Sequence, residues 1–382
     1  MSQRINILYI MDHFQGTGGT ERHLTYLVEH LSREQFQCVI VVLDLAPNRW
    51  VDQIRAAGIP VIHVPVLREY APAALLRALQ ISRLIRLHKV DIVQTFQQKS
   101  DTYGATVARL SGVRHIISSK RDTGELKKPR HYRANRLLAG LFERVIVVAD
   151  SIGDLVVSKE EIPRCRIIRI YNGVDTAQFV PPTMQQRIAA RERLGFTDGE
   201  FVVGMVARFR PEKGHDTLLA GALAAAQGIP GLRILAVGGG PLLEDFRSRF
   251  RQQCAERRVQ LLDDAADVMA YLHAMDVGCL LPNANEGFSN SVLEKMAVGL
   301  PLIVTDVGGN AEAVTDGENG LVIPPRDVEA FRRALLTLYS EPARRLRMGQ
   351  RSRELVEEKF TLQRMCGEHA MLYDSLMRHS VG

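Results

Sequence analysis

The chain has 382 residues, which is more than one hydrophobic core usually organises, so two domains are expected. Hydrophobic residues make up 46% of the sequence and charged residues 24%, as in ordinary folded proteins, which excludes a disordered or fibrous chain. The five cysteines are scattered and form no Cys-x-x-Cys pair, so we expect neither a disulfide framework nor a thiolate metal site.

The net charge of +6 is unevenly distributed along the chain. Up to Asp175 there are 25 Lys and Arg against 17 Asp and Glu, whereas the rest of the chain has 24 against 26. The positive first half indicates an anionic partner there, such as a lipid surface or a phosphate-bearing acceptor. No segment approaches the roughly 20 apolar residues that span a bilayer, and no signal-peptide pattern opens the chain, so a cytoplasmic protein is predicted.

Short apolar runs alternate with longer amphipathic segments throughout the sequence. The predicted strands of the first half are Ile5–Ile10, Cys38–Leu43, Val61–Val64, Asp91–Thr95, His115–Ser118 and Arg144–Val148, and its predicted helices include Thr20–Leu31 and Ala73–His88. The predicted strands of the second half are Phe201–Ala207, Arg233–Val237, Val259–Leu262, Val277–Leu280, Leu302–Thr305 and Leu321–Ile323. This alternation predicts an α/β fold with parallel sheets covered on both faces.

A break between two domains is predicted at Asn172–Gln186, because Asn172-Gly173 signals a turn and Pro181-Pro182 cannot continue a regular element. We therefore predict one doubly wound, Rossmann-like domain at residues 1–177 and a second at 178–355. Ligands of such sheets bind beyond the carboxyl ends of the strands, so the expected site is the cleft across which the two domains face each other.

The segment from Asn285 to Pro301 is the most informative part of the sequence. It follows the predicted strand Val277–Leu280, and a helix is predicted to begin near Ser289–Ser291 and to end near Gly299. The free N–H groups and the positive dipole end of such a helix favour a pyrophosphate. The segment therefore predicts a site for a sugar nucleotide.

Two glutamates flank this predicted phosphate site. Gly287 lets the backbone approach a ligand closely, while Glu286 in the loop can reach the sugar and Glu294 in the helix can reach the ribose. Other interpretations stay open, because Ser291-x-x-Glu294 also fits a capping box and Glu286 alone also fits a solvated loop charge. Taken together, two glutamates around a glycine-bearing loop favour the ligand site.

This segment resembles the Glu-x7-Glu signature of retaining GT-B glycosyltransferases of family 4, and the similarity runs from Glu286 to Ala313. A looser similarity covers nearly the whole chain. The resemblance implies an acceptor-binding first domain, a nucleotide-sugar-binding second domain and a helix at 356–382 that packs back on the first domain. It also implies a hexosyl transfer with retention, with a nucleotide-diphosphate sugar as donor substrate and no cofactor.

The resemblance also implies roles for individual residues. Glu286, Arg208 and Lys213 are assigned to catalysis. The implied donor-binding residues are Gly18, Gly19, Arg208, Lys213, Gly239, Leu262, Glu286, Gly287, Phe288, Ser289, Asn290 and Glu294. Without the family, Arg208 and Lys213 also fit solvated charges, and Gly239 also fits a tight turn. An Arg can grip phosphate oxygens in a bidentate manner and a Lys adds a point charge, which suits a diphosphate.

The first half departs from the family pattern, because no His follows the strand His115–Ser118 where the family often has one near the anomeric carbon. Arg121 or Asp122 takes over part of that role in our interpretation. The acceptor or membrane contacts are predicted at Arg121, Asp122, Lys127, Lys128 and Arg130. An anionic surface on the inner face of the membrane is one partner that such a cluster fits, whereas nucleic acid is not expected, because the cluster lacks interleaved aromatics.

The predicted function is a glycosyltransferase that uses a UDP-sugar in preference to a GDP-sugar and acts on a glycan or lipid-linked acceptor in cell-envelope or exopolysaccharide synthesis. No Asp-x-Asp motif or His cluster is present, so no metal site is predicted, and Arg208, Lys213 and the helix start would stabilise the leaving diphosphate. Two alternatives remain, a sugar-nucleotide epimerase on the same scaffold and a non-catalytic protein that binds a sugar nucleotide or a lipid.

Overall fold

The structure is a computed structural model that describes residues 4–16, 18–69, 71–124, 127–263 and 267–378. The chain divides into two compact units. The N-terminal unit comprises Met1–Gly173 with Leu362–Gly382, and the C-terminal unit comprises Val174–Thr361. None of the described helices combines the length and the apolar character needed to cross a bilayer.

The described part of the N-terminal unit contains a seven-stranded parallel sheet with the order β3-β2-β1-β4-β5-β6-β7. Its strands are β1 Ile5–Met11, β2 Phe36–Val42, β3 Val61–His63, β4 Ile92–Thr95, β5 His115–Lys120, β6 Arg144–Val147 and β7 Ile167–Arg169. Its helices are α1 Gly19–His30, α2 Arg49–Ala56, α3 Pro72–Leu87, α4 Ala105–Leu110, α5 Pro129–Leu138 and α6 Asp150–Glu160. The central strands are buried on both faces, which explains why they read as continuous apolar runs.

The described part of the C-terminal unit contains a six-stranded parallel sheet with the order β10-β9-β8-β11-β12-β13. Its strands are β8 Phe201–Val206, β9 Leu232–Val237, β10 Val259–Leu262, β11 Val277–Leu280, β12 Leu302–Thr305 and β13 Gly320–Ile323. Its helices are α7 Met184–Leu194, α8 His215–Ala225, α9 Leu243–Arg249, α10 Arg251–Ala255, α11 Val268–Ala274, α12 Asn290–Ala297, α13 Asn310–Ala313, α14 Val328–Ser340 and α15 Pro342–Lys359. The predicted α/β class with two doubly wound parallel sheets is therefore confirmed.

The last helix, α16 Leu362–Arg378, belongs to the core of the N-terminal unit. Its buried face includes Tyr373, whose hydroxyl donates to Gln94 Oε1 at 2.6 Å and lies 3.2 Å from the hydroxyl of Tyr9 in β1. Leu372 and Leu376 join the same hydrophobic cluster as the residues of β1 and α1. The chain therefore returns to complete the core from which it started.

The observed unit boundaries differ slightly from residues 178 and 355, where the predicted second domain begins and ends. The C-terminal unit begins at Val174 because the Val174 N–H donates to Phe360 O at 2.8 Å, and Val174 also pairs with Thr361 as a parallel bridge.

Strand β7 is absent from the elements predicted from the sequence. It has three residues, lies at the sheet edge and is only partly buried, so it lacks the apolar run of the central strands.

Candidate functional site

The candidate site lies at the carboxyl edge of the C-terminal sheet, where the strand order reverses. β8 pairs with β9 on one side and with β11 on the other, so the loops that follow β8 and β11 lead away in opposite directions. Such a reversal leaves a crevice that parallel α/β sheets use for ligands. Arg208 and Lys213 follow β8, and Glu286 follows β11.

Lys213 and Glu286 meet at this point and form an ion pair. The distance between Lys213 Nζ and Glu286 Oε2 is 2.7 Å, and Glu286 is only 9% exposed. The two loops are also tied through their backbones, since the Asn283 N–H donates to Glu212 O at 2.8 Å. A solvated loop charge is therefore the wrong interpretation of Glu286, and Lys213 is not a free surface cation.

A second loop fixes the backbone of Glu286 and Gly287 from the other side. Gly309 N–H donates to Gly287 O at 2.6 Å. Gly308 has a φ of +60°, and a Cβ atom there would lie 1.9 Å from Glu286 O. No other residue fits at position 308 without displacing the Glu286 backbone.

Helix α12 begins where the sequence predicts. Ser289 is its N-cap and Asn290 its first residue, and the first turn leaves backbone N–H groups for a ligand or for solvent. The capping box between Ser291 and Glu294 is the wrong interpretation, because Ser291 is already inside the helix. The Ser291 hydroxyl instead donates to Val206 O at 2.6 Å, at the end of β8.

The predicted donor-binding residues Gly287, Phe288, Ser289 and Glu294 are buried together in this segment, while Asn290 is half-buried. The Phe288 ring packs against Phe360, with 5.3 Å between ring centroids. Packing of this kind gives the loop before α12 a fixed shape. Their predicted contacts with a donor stay predictions.

Arg208, Gly239 and Leu262 lie along the same edge, at the ends of β8, β9 and β10. Phe209 N–H donates to Gly239 O at 3.0 Å, and Gly238 N–H donates to Leu262 O at 2.8 Å. A Cβ atom on Gly239 would lie 2.6 Å from Asp263 Oδ1, and the assignment of Gly239 to the donor stays a prediction. The Arg208 side chain is exposed, and its role towards a diphosphate stays a prediction.

Two buried basic side chains near these loops were not predicted from the sequence. His215 follows Lys213 closely and stacks on Phe209 at 4.0 Å between ring centroids, and burial lowers its pKa to about 4. Lys295 in α12 is fully buried, and its Nζ donates to Ser291 Oγ at 2.5 Å; burial lowers its pKa to about 8 despite the nearby Cys279, Glu294 and Glu286. Helical spacing from Ser291 was the one signal that could have indicated Lys295.

In the N-terminal unit, Gly18 and Gly19 stand at the start of α1, at the carboxyl end of β1. The loop before them is folded around the buried carboxylate of Glu21, which accepts from Gln15 N–H at 2.7 Å and from Gly18 N–H at 3.1 Å. The first turn of an α-helix leaves N–H groups without partners inside the helix, which suits an anion. The assignment of Gly18 and Gly19 to the donor stays a prediction.

The predicted acceptor residues follow the carboxyl end of β5. Arg121 donates to Asn172 Oδ1 at 2.5 Å, and burial lowers its pKa to about 9. Asp122 accepts from Gly124 N–H at 2.9 Å, which shapes the loop. Lys128 and Arg130 are exposed at the start of α5.

Lys127 differs from these residues because it enters a buried ionic network. Its Nζ lies 2.7 Å from Glu160, and Glu160 also pairs with Lys120, which in turn pairs with Asp101 at 2.7 Å. Burial raises the pKa of Glu160 but the two lysines outweigh it, so its pKa falls to about 2. The sequence indicated a basic surface here, whereas Lys120 is an interior ion.

Beside this network lies a cavity of about 500 Å³ between α5 and α6. Its lining includes Tyr132 and Leu155 together with the cations Lys127, Arg133, Arg136 and Lys159. Arg136 also pairs with Glu161 at 3.1 Å. We refer to this cavity as the basic groove.

Family models match both halves of the chain. A model described as "Glycosyltransferase Family 4" matches residues 17–178, and one described as "Glycosyl transferases group 1" matches residues 186–355. Between them, the two models reach from the start of α1 into α15.

Curated relatives carry related descriptions. The chain is 25% identical over 340 residues to the UDP-Gal:alpha-D-GlcNAc-diphosphoundecaprenol alpha-1,3-galactosyltransferase of Escherichia coli, over 85% of each chain. It is 27% identical over 342 residues to a GDP-mannose-dependent alpha-(1-6)-phosphatidylinositol monomannoside mannosyltransferase of Mycolicibacterium smegmatis, over 87% of this chain and 88% of that one. It is also 31% identical over 207 residues to the putative glycosyltransferase EpsD of Bacillus subtilis, over 54% of this chain and only 53% of EpsD.

Among solved structures, that of Anabaena Alr3699/HepE in complex with UDP and glucose superposes with a TM-score of 0.84 at 21% identity. The superposition covers 97% of this chain and 100% of the other. At this identity the likeness concerns the fold.

Proposed function

Because the chain belongs to the group 1 glycosyltransferases of family 4 and has the GT-B fold, we propose that it is a retaining hexosyltransferase that uses a UDP-sugar. The proposed acceptor is a glycan or lipid-linked saccharide of the cell envelope or of an exopolysaccharide. A UDP-galactose enzyme among the relatives supports UDP, while the GDP-mannose-dependent relative keeps GDP as the alternative to test.

The observation that carries this proposal is the 2.7 Å pair of Lys213 and Glu286 beside the start of α12. A diphosphate at the helix start would face free N–H groups and the Lys213 ammonium, and Arg208 stands on the same sheet edge. The Glu286 carboxylate accepts hydrogen bonds from sugar hydroxyls and holds Lys213 in place. Cations and dipoles placed before the reaction stabilise the charge that develops on the leaving diphosphate.

In the proposed reaction, the acceptor hydroxyl oxygen forms a bond to the anomeric carbon on the face from which the nucleoside diphosphate departs. The bond between the anomeric carbon and the diphosphate oxygen breaks, and its electron pair stays on that oxygen. The proton of the acceptor hydroxyl goes to the departing diphosphate. Configuration is retained because the incoming and outgoing oxygens share one face of the sugar.

The N-terminal unit supplies the proposed acceptor side. The basic groove gathers Lys127, Arg133, Arg136 and Lys159 around an apolar lining of Tyr132 and Leu155, which suits an anionic group attached to an apolar chain. A lipid-linked phosphate or diphosphate has this composition. The Escherichia coli relative is described as acting on a diphosphoundecaprenol acceptor, which supports this class.

A peripheral contact with an anionic membrane is part of the same proposal. On α3, Leu75 and Leu76 are 70% and 68% exposed, and Leu79 lies one turn further along the same helix. Exposed leucines near Arg83 and Arg86 fit an interfacial helix, whose apolar side enters the lipid while the arginines meet the head groups.

Incubation of the protein with labelled UDP- and GDP-sugars and a bacterial lipid extract tests the function. We expect label in the lipid fraction and stoichiometric release of UDP only when both a UDP-sugar and lipid are present. A changed sugar nucleotide without transfer would establish an epimerase instead, and tight binding without turnover would establish a non-catalytic binder. Transfer from GDP-sugars and not from UDP-sugars would show that the donor nucleotide is GDP and would contradict the proposed preference for UDP.

Flotation with vesicles tests the membrane contact. We expect the protein to float with vesicles that contain about a third anionic lipid and to remain behind with purely zwitterionic vesicles. Replacement of Leu75, Leu76 and Leu79 by Ser should abolish flotation, while the matched replacement of Leu346, which is 65% exposed in the C-terminal unit, should not. Equal flotation of all three proteins would contradict the assignment to α3.

A further inference from the structure

Lys295 is a fully buried lysine that the candidate donor site does not use directly. It lies in α12, one turn after Ser291. Its Nζ donates to Ser291 Oγ at 2.5 Å and to Ser291 O at 3.1 Å. Lysine side chains are almost never fully buried unless the ammonium has a partner, so the burial of Lys295 requires an explanation.

The surrounding structure is shaped to accept this lysine. A Cβ atom on Gly278 in β11 would lie 2.5 Å from Lys295 Cδ. The absence of a side chain at position 278 therefore makes the space through which the lysine stem passes. A glycine and a buried lysine that fit each other in this way argue against an accidental burial.

The contacts of Lys295 lead to the candidate donor site through one residue. The Ser291 hydroxyl accepts a hydrogen bond from the Lys295 ammonium and donates a hydrogen bond to Val206 O at 2.6 Å. Val206 is the last residue of β8, directly before the turn that carries Arg208. The chain of hydrogen bonds thus joins the first turn of α12 to the end of β8.

We propose that Lys295 is a positioning residue for donor binding, which acts through Ser291 to hold the first turn of α12 and the end of β8 in register and to add a positive charge behind the diphosphate. This inference rests on the proposed function. Lys295 reaches no substrate atom itself. The Ser291 hydroxyl is occupied by Val206 O and Lys295, so the donor meets the backbone N–H groups of the helix start.

The titratable and charged groups around Lys295 come from several elements. Glu294 lies on α12, Glu286 lies in the loop before it and is paired with Lys213, and Cys279 lies on β11. From α15, Arg353 reaches the other end of α12 and donates to Ala297 O at 2.8 Å. Strand β12 contributes no titratable residue. Burial outweighs the attraction to Cys279, Glu294 and Glu286 and lowers the pKa of Lys295 to about 8, so its charge is lost in mildly alkaline solution.

The test uses Lys295→Met, which keeps the length and apolar stem of the side chain, with Ser291→Ala and the double variant. The matched control is Lys359→Met, an exposed lysine at the end of α15 in the same unit. We expect Lys295→Met to lower kcat/KM about tenfold, mainly through a higher donor KM, because a hydrogen bond from a charged group is lost. The double variant should lose less than the sum of the two single losses, because residues that share a hydrogen-bond network are not independent.

Two further measurements separate positioning from a merely structural role. Donor affinity of the unmodified protein should fall as the pH rises through about 8, and this alkaline limb should be absent in Lys295→Met. The melting temperature of Lys295→Met should be equal or higher, because the cost of burying a charge disappears. A lower melting temperature with an unchanged KM and an unchanged pH profile would overturn the proposal.

Calorimetric titration with UDP and GDP distinguishes failure of this inference from failure of the proposed function. If the unmodified protein binds neither nucleotide, the proposed function and this inference both fall. If it binds and turns over a sugar nucleotide but Lys295→Met and Ser291→Ala match the Lys359→Met control, only the role of Lys295 is overturned.

Discussion

Burial controls the protonation of His215 and makes the C-terminal unit sensitive to acid. Its pKa falls from the usual 6.5 to about 4 because the ring is buried against Phe209. Between these pH values the unfolded chain binds a proton that the folded chain does not, so the free energy of unfolding decreases as the pH falls from 6.5 towards 4. At the lower end this loss amounts to a few kcal/mol.

We therefore predict that His215→Leu flattens the dependence of Tm on pH in this range. Calorimetry at pH 7, 5.5 and 4.5 measures the effect as a smaller fall in Tm than in the unmodified protein. His63→Leu is the control, because it replaces an exposed histidine on the edge strand β3. Parallel loss of stability in the unmodified protein and in His215→Leu would contradict the prediction.

The pair of Lys213 and Glu286 gives a second prediction at the residue scale. Lys213→Met removes a cation from the proposed diphosphate site and leaves the carboxylate of Glu286 buried without its partner. We expect kcat/KM to fall by about 100- to 1000-fold, the range for loss of one preorganised group at a developing charge. Steady-state kinetics with the accepted donor measures it, with Lys359→Met as the control. A fall smaller than tenfold would place the diphosphate elsewhere.

The elements around the site differ in how well sequence alone predicts them. Helix α12 was predicted to within a residue or two, because an N-cap serine, a periodic segment and Gly299 mark both ends locally. The short edge strand β7 was missed, since its stability comes from pairing with β6 rather than from its own apolar residues. The hydrogen bond of Lys295 to Ser291, and that of Ser291 to Val206, could not be predicted from the sequence either, because the burial of Lys295 depends on Gly278 in another element.

Position 308 provides a prediction at the element scale. Gly308→Ala places a Cβ atom 1.9 Å from Glu286 O, so the loop between β11 and α12 must move. Gly317→Ala is a matched control, because Gly317 also has a positive φ, +79°, but a Cβ atom there would have no neighbouring atom within 4 Å. Both variants carry the backbone strain of about 1 kcal/mol, and only Gly308→Ala adds the clash.

Activity and thermal unfolding measured on the two variants separate these contributions. We expect both to melt at a lower temperature than the unmodified protein and only Gly308→Ala to lose most of its activity. Equal activity of the two variants would show that the position of the Glu286 backbone does not matter to the reaction.

At the scale of the whole molecule, the C-terminal unit is formed by one continuous segment, whereas the N-terminal unit is formed by two segments that are far apart in sequence. The residues themselves predicted both α/β units, whereas the resemblance to the family indicated the closing helix and the unit on which it packs. The boundary at Val174 follows from its pairing with Phe360 and Thr361, two residues far away in sequence. Long-range pairings of this kind leave no local pattern that could have fixed the boundary.

This division predicts how fragments behave. Residues 174–361 should fold alone, because their ends meet through Val174 N–H and Phe360 O at 2.8 Å. Residues 1–173 alone should not fold cooperatively, because they lack α16 and expose the core around Tyr9. Each buried apolar side chain of α16, such as Leu372, contributes about 1.5–3 kcal/mol, so the loss of several exceeds the stability of an ordinary domain.

Joining residues 1–173 to 362–382 through a short Gly/Ser linker should restore cooperative unfolding of the N-terminal unit. The join is geometrically reasonable because Gly173 N–H lies 3.2 Å from the sulfur of Met365, in the first turn of α16. The matched control carries Tyr373→Ser and Leu372→Ser in the same fusion, which keeps the length of the helix but removes two buried side chains. Circular dichroism with thermal melting reports the result, and a cooperative transition in residues 1–173 without α16 would show that the first segment completes its core unaided.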